Sequence, residues 1–207
     1  LDFEPIALVG TFPMVMAVNS ASPITSAAEL VALSKRNPRS ADIAMPSTTA
    51  RLVVELLKDL SSVELFGVPY KGSGNAMTDL LGGQLPAVVD TPTALRPHLA
   101  SGKVRARGVT SAPPSGLVPG VKTVAEQGFS GFEVVAWNAL YAPRGTPPAV
   151  IQTLNAAVNK VLMQPETRQR LLELGFDPAG GTPAQLADFA NAERRKWEPV
   201  IKRADIR

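Results

Sequence analysis

Between residues 41 and 110, short runs of apolar and β-branched residues take turns with amphipathic segments that open on a cap and often close on glycine. That alternation constrains the fold more than any other feature. Strand and helix in turn build a mainly parallel sheet covered by helices on both faces, an α/β architecture. Strands are expected at 41–45, 64–69, 87–90 and 104–110. The helix after Pro46-Ser47-Thr48-Thr49 keeps Leu52, Val53, Leu56, Leu57 and Leu60 on one face. The next spans 73–81 and stops at Gly82-Gly83, and a third starts after Thr91-Pro92. An earlier helix is announced by Ser26 and Glu29, a capping box ahead of Leu30, Val31 and Leu33, and ends at Asn37-Pro38.

Two longer apolar stretches frame this body. Residues 5–19 read as two short strands broken at Gly10 and Pro13, and 132–141 as a second crossing strand, so that the pair forms a hinge whose members should lie side by side. Residues 111–120, rich in Pro and Gly, form a loop, and Thr123 with Glu126 caps a short helix. Past Ala142-Pro143-Arg144-Gly145 the chain reads as wholly helical. One helix begins at Thr146-Pro147 and a second runs from Pro165 to Gly175. A third opens on the capping box of Thr182 and Gln185 and kinks at Pro199. Helices hung outside an α/β body are incomplete as one fold, and their apolar stripes call for a further surface.

Composition removes whole classes of chemistry. The 207 residues carry 21 Lys+Arg against 18 Asp+Glu, a net charge of +3, and the basic residues are scattered apart from Arg194-Arg195-Lys196, which reads as a solvated helix face. Nucleic acid needs a focused basic surface and is not an expected partner. Without cysteine there are no thiolate metal sites, cysteine nucleophiles or disulfides. The single histidine, His98, rules out a multi-histidine metal site and reads as a structural or surface residue on a helix. There is no G-x-S-x-G elbow and no Walker A, and Gly72-Ser73-Gly74 lacks the third glycine of a dinucleotide fingerprint. The remaining enzymatic arrangement is a Ser–Lys dyad of Lys71 and Ser73, against which stands the solvated setting of a strand-to-helix turn. No catalytic residue, metal or cofactor is therefore expected. No apolar run is long enough to cross a bilayer, and an export signal would lie upstream of Leu1 or have been removed.

Val68-Pro69-Tyr70-Lys71-Gly72-Ser73 followed by Thr78-Asp79-Leu80-Leu81-Gly82-Gly83-Gln84 resembles the tripartite tricarboxylate transporter receptor family, also called Bug or TctC-like proteins. Further strings follow in the family's order. They are Phe3-Glu4-Pro5-Ile6-Ala7-Leu8-Val9, Gly102-Lys103-Val104-Arg105-Ala106, Ala125-Glu126-Gln127-Gly128, and Trp137-Asn138-Ala139-Leu140-Tyr141-Ala142-Pro143 with Gly145-Thr146-Pro147. The resemblance implies a periplasmic receptor with two lobes of the type II binding-protein kind, closing on a di-, tri- or aromatic carboxylate and serving TctA/TctB-like membrane subunits. It also implies a division of the chain. Residues 1–11 become a hinge strand and remnant of the first lobe, 12–135 the complete second lobe, 136–145 the returning hinge strand, and 146–207 C-terminal helices of an incomplete first lobe. Exposed helix faces of so truncated a chain are expected to drive self-association. The competing reading is a cytoplasmic ligand-sensing effector domain of a regulator that shares the fold class.

Relatives carry a glycine-rich G-x-G-S-S-N-H run where this chain has Met45-Pro46-Ser47-Thr48-Thr49-Ala50-Arg51; the hydroxyls of Thr48 and Thr49 remain, while both glycines and the asparagine are absent. The ligand site is placed here. Open α/β sheets bind ligands beyond the C-terminal ends of their strands, and a helix start offers unpaired N–H groups and a positive dipole end. The expected ligand-binding residues are Ser47, Thr48, Thr49, Tyr70, Asp90 and Thr91.

Overall fold

The computed structural model describes residues 2–204. By internal packing they divide into two compact units, one made of residues 13–135 and one of 2–12 with 136–204.

The 13–135 unit holds a five-stranded sheet. Its strands are β2 (Val15–Asn19), β3 (Ile43–Met45), β4 (Gly67–Pro69), β5 (Ala87–Asp90) and β6 (Val104–Val109), in the order β4-β3-β5-β2-β6. The helices α1 (Ala27–Arg36), α2 (Thr48–Ser61), α3 (Ser73–Leu81) and α4 (Pro92–Ala100) lie between these strands in the chain. β3 is parallel to both β4 and β5, whereas β2 is antiparallel to β5 and β6. The sheet is therefore mixed, with one reversed strand. The crossover helices keep the others parallel, while β2 follows directly from the crossing stretch and is free to run the other way. Val15, Ala17, Ala44, Val88 and Val109 of the sheet pack with Ala76 and Leu80 of α3 and Leu95 of α4, all but fully buried. Burying a side chain such as Leu80 contributes about 1.5–3 kcal/mol.

Caps form much as the residue pattern requires. Ser26 accepts the Glu29 amide at 3.0 Å, although the Glu29 carboxylate turns to the amide and hydroxyl of Thr25 instead of closing the box on Ser26. Thr123 and Glu126 close theirs around a single 3-10 turn at Ala125–Gln127. Where the chain enters and leaves this unit, the buried Thr110 hydroxyl accepts the Met14 amide at 2.7 Å and donates to the Val134 carbonyl at 2.6 Å.

The second unit holds a three-stranded sheet of β7 (Val135–Pro143), β1 (Phe3–Pro13) and β8 (Asp177–Gly180), in the order β7-β1-β8. The two crossing strands are thus neighbours, as the sequence pattern requires. Three helices complete the unit: α5 (Pro148–Leu162), α6 (Pro165–Glu173) and α7 (Pro183–Arg203). The expectation of a wholly helical C-terminal part fails at β8. Asp177-Pro178-Ala179-Gly180 contains no β-branched residue, and its strand form comes from antiparallel pairing with β1, Leu8 opposite Gly180 and Gly10 opposite Pro178. Pro178 is tolerated because β8 is an edge strand. α7 continues through Pro199 to Arg203. α5 sets Ile151 and Val158 against Ile6, Ala7 and Ala142, while Val150, Leu154 and Val161 on the same helix stay exposed.

Candidate functional site

In the 13–135 unit the parallel strands β4, β3 and β5 lie side by side, and each is followed at its C-terminal end by a helix start. All six nominated residues fall at these three junctions. Ser47 follows β3 as the N-cap of α2, with extended backbone, and its Oγ accepts the Ala50 amide at 3.1 Å. Thr48 and Thr49 are the first two residues of that helix, and their amides have no hydrogen-bond partner among the described residues.

Tyr70 follows β4. Its amide donates to the Met45 carbonyl at 3.0 Å, tying this turn to the end of β3. Its hydroxyl donates to Asp79 Oδ2 of α3 at 2.6 Å, and that bond pushes its pKa up to about 12. The phenol is thus a strut between strand end and helix, with its proton already spent.

Asp90 ends β5 and is 2% exposed. Its Oδ1 accepts the Thr91 amide at 2.7 Å, while Oδ2 is buried without a hydrogen-bond partner. Burial raises its pKa, and the Ser73 hydroxyl and the Thr91 amide pull the other way. Thr91 is the N-cap of α4, its hydroxyl accepting the Ala94 amide at 3.2 Å.

The residue pattern underrated the start of α3. Gly72 caps it without a side chain, and Ser73 begins the helix beside Asp90. Gly72-Ser73-Gly74 fails as a nucleotide motif, yet a glycine cap at a strand-to-helix turn still leaves amides open, and that signal was in the sequence. Lys71 is solvent-exposed and lacks the burial a basic lysine requires, so the dyad with Ser73 has no support. His98 lies half-buried on α4, and among the described residues no cluster of His, Cys, Asp or Glu is grouped to hold a metal ion.

The arrangement offers directed N–H groups and hydroxyls at one end of a sheet, with no nucleophile–base pair among the nominated residues. Residues 1–206 match the family model described as the tripartite tricarboxylate transporter family receptor. The chain belongs to that receptor family. A Pseudomonas sp. protein from the tcbD-tcbE intergenic region is 37% identical over 203 residues, which are 97% of this chain and 60% of the relative. Among solved structures, an R. palustris protein with adipate is 33% identical with a TM-score of 0.79, covering 97% of this chain and 68% of that one. MatC from Rhodopseudomonas palustris, with bound malate, is 32% identical with a TM-score of 0.71, covering 96% of this chain and 69% of the other. The chain thus spans about 60% of the length of that Pseudomonas relative.

Proposed function

We propose that this chain is the ligand-holding part of an extracytoplasmic, periplasmic solute-binding receptor that captures a small carboxylate and delivers it unchanged to TctA/TctB-like membrane subunits. The observation that carries this is the pair of helix starts at the ends of β3 and β4, whose open amides suit an anion, in a member of this receptor family. Adipate and malate, found with two similar proteins, are the first ligands to try. Under this reading residues 13–135 are the second lobe, and the remaining residues are the hinge strands and the C-terminal part of the first.

The test is calorimetric titration of the gene's full-length product with adipate, malate and the neutral diamide of adipate. Saturable binding of a carboxylate, with no heat from the diamide, supports the reading. Silence from every carboxylate, or equal binding of the diamide, refutes it. Incubation with a nucleophile-directed acylating probe should leave Ser73 unlabelled, since Lys71 is exposed to solvent and burial favours the neutral form of Asp90, the carboxyl group beside it.

A further inference from the structure

The three helix starts differ in what they leave open. At α4 little remains, because Pro92 has no N–H, the Thr91 hydroxyl takes the Ala94 amide and Asp90 takes the amide of Thr91. At α2 the Ser47 hydroxyl takes the Ala50 amide and leaves those of Thr48 and Thr49. At α3 no side chain stands in, and the amides of Ser73, Gly74 and Asn75 have no partner among the described residues. Gly72 adopts φ 150°, a conformation that favours glycine, and a methyl group built at Gly72 or Gly74 would meet no atom within 4 Å. The space before this turn is open.

Beside it lies a carboxyl group with an unmet need. Asp90 is 2% exposed and its Oδ2 has no hydrogen-bond partner. Its Oδ1 holds the Thr91 amide at 2.7 Å, and the Ser73 hydroxyl of α3 is near enough to favour its charged form without satisfying Oδ2. β2 and β3 bring no charged residue, and Asp79 on α3 is held by Tyr70. Neither Lys71, Asp79 nor Arg96 of α4 contributes to the titration of Asp90. An ionised Asp90 would draw the Ser73 proton toward itself and leave lone pairs facing an incoming anion. A neutral Asp90 reverses that polarity.

We propose that the amino end of α3 is the carboxylate anchor of this receptor, and that Asp90 positions it by carrying a proton in the bound state. Asp90 Oδ2–H donates to Ser73 Oγ, and Ser73 Oγ–H donates to the ligand's carboxylate beside the open amides of Ser73, Gly74 and Asn75. Where free Asp90 is ionised, capture takes up one proton from solvent, and only hydrogen bonds are made or broken. Burial of Asp90 favours the same neutral form. This inference rests on the receptor reading above.

The experiment is calorimetry of the full-length product with adipate and with malate, in two buffers of different ionisation enthalpy, across the pH range in which both ligands stay dianionic. Uptake approaching one proton per ligand is expected. Affinity should fall about tenfold per pH unit once free Asp90 is ionised. Asp90→Asn, whose amide donates to Ser73 at every pH, should abolish the uptake and flatten the pH profile. Ser73→Ala should lose about tenfold or more in affinity and the proton linkage with it, more than Thr48→Val with Thr49→Val loses. Binding with no proton uptake and a flat pH profile to the alkaline end of the range, or a larger loss from the α2 pair than from Ser73→Ala, overturns the inference while the receptor reading stands. No binding of either ligand overturns both.

Discussion

Thr110→Val is an isosteric change in a buried position with a cost that follows from three residues. Thr110 is fully buried, Met14 and Val134 are each 1% exposed, and one hydroxyl serves both chain crossings, accepting at 2.7 Å and donating at 2.6 Å. Valine keeps the volume and strands the Met14 N–H and the Val134 carbonyl in a dry interior. Each orphan costs about 1–3 kcal/mol. The added methyl returns about 0.8 kcal/mol. The net loss is therefore about 1–5 kcal/mol, and Thr110→Ser, which keeps both bonds, should lose less than Thr110→Val. Urea unfolding followed by circular dichroism gives the loss, and native-state hydrogen exchange within residues 13–135 assigns it to this unit, a precaution that two units make necessary. The Met14 amide should lose protection first. A Thr110→Val protein as stable as the parent, with Met14 still protected, would refute the reasoning.

Because burial lifts the Asp90 pKa in the folded state, the folded protein keeps that proton to higher pH than the unfolded chain does. The stability it contributes is full below the ordinary carboxylate range and is lost as pH rises through the folded-state value. The advantage of Asp90→Asn over the parent should therefore grow from acid to neutral pH in thermal melts, and a pH-independent difference would contradict this. Tyr70 should ionise only near pH 12, so absorbance titration at the phenolate band should lose its late phase in Tyr70→Phe. A phase unchanged by that substitution would show that the hydroxyl is not held by Asp79. The exposed Val150, Leu154 and Val161 of α5 should make the 207-residue chain self-associate, which light scattering over a concentration series would reveal and which Leu154→Glu should reduce. A strictly monomeric particle at every concentration would refute it.

Much of the 13–135 unit was legible because its local signals agree with one another. Ser47 caps where a β run meets an amphipathic one, and α2, α3 and α4 start within a residue or two of their expected positions. β8 was illegible for the opposite reason. Asp177-Pro178-Ala179-Gly180 has no strand propensity, and only the presence of β1 beside it makes it a strand. The reversal of β2 is likewise a tertiary fact, since the alternation of residues along a strand carries no direction. At the site, residue types located the three junctions. Which junction stays open depended on who caps whom: Thr91 and Pro92 close α4, Ser47 half-closes α2, and Gly72 leaves α3 bare.

Whether a carboxylate sits on the open amides at the ends of β4 and β3 is tested most directly by backbone amide NMR of the isotope-labelled full-length product titrated with adipate or malate. Saturable shifts are expected, largest at Ser73, Gly74 and Asn75, smaller at Thr48 and Thr49, and smallest at the capped start of α4. Shifts that leave these amides untouched while others in the protein saturate would contradict that placement.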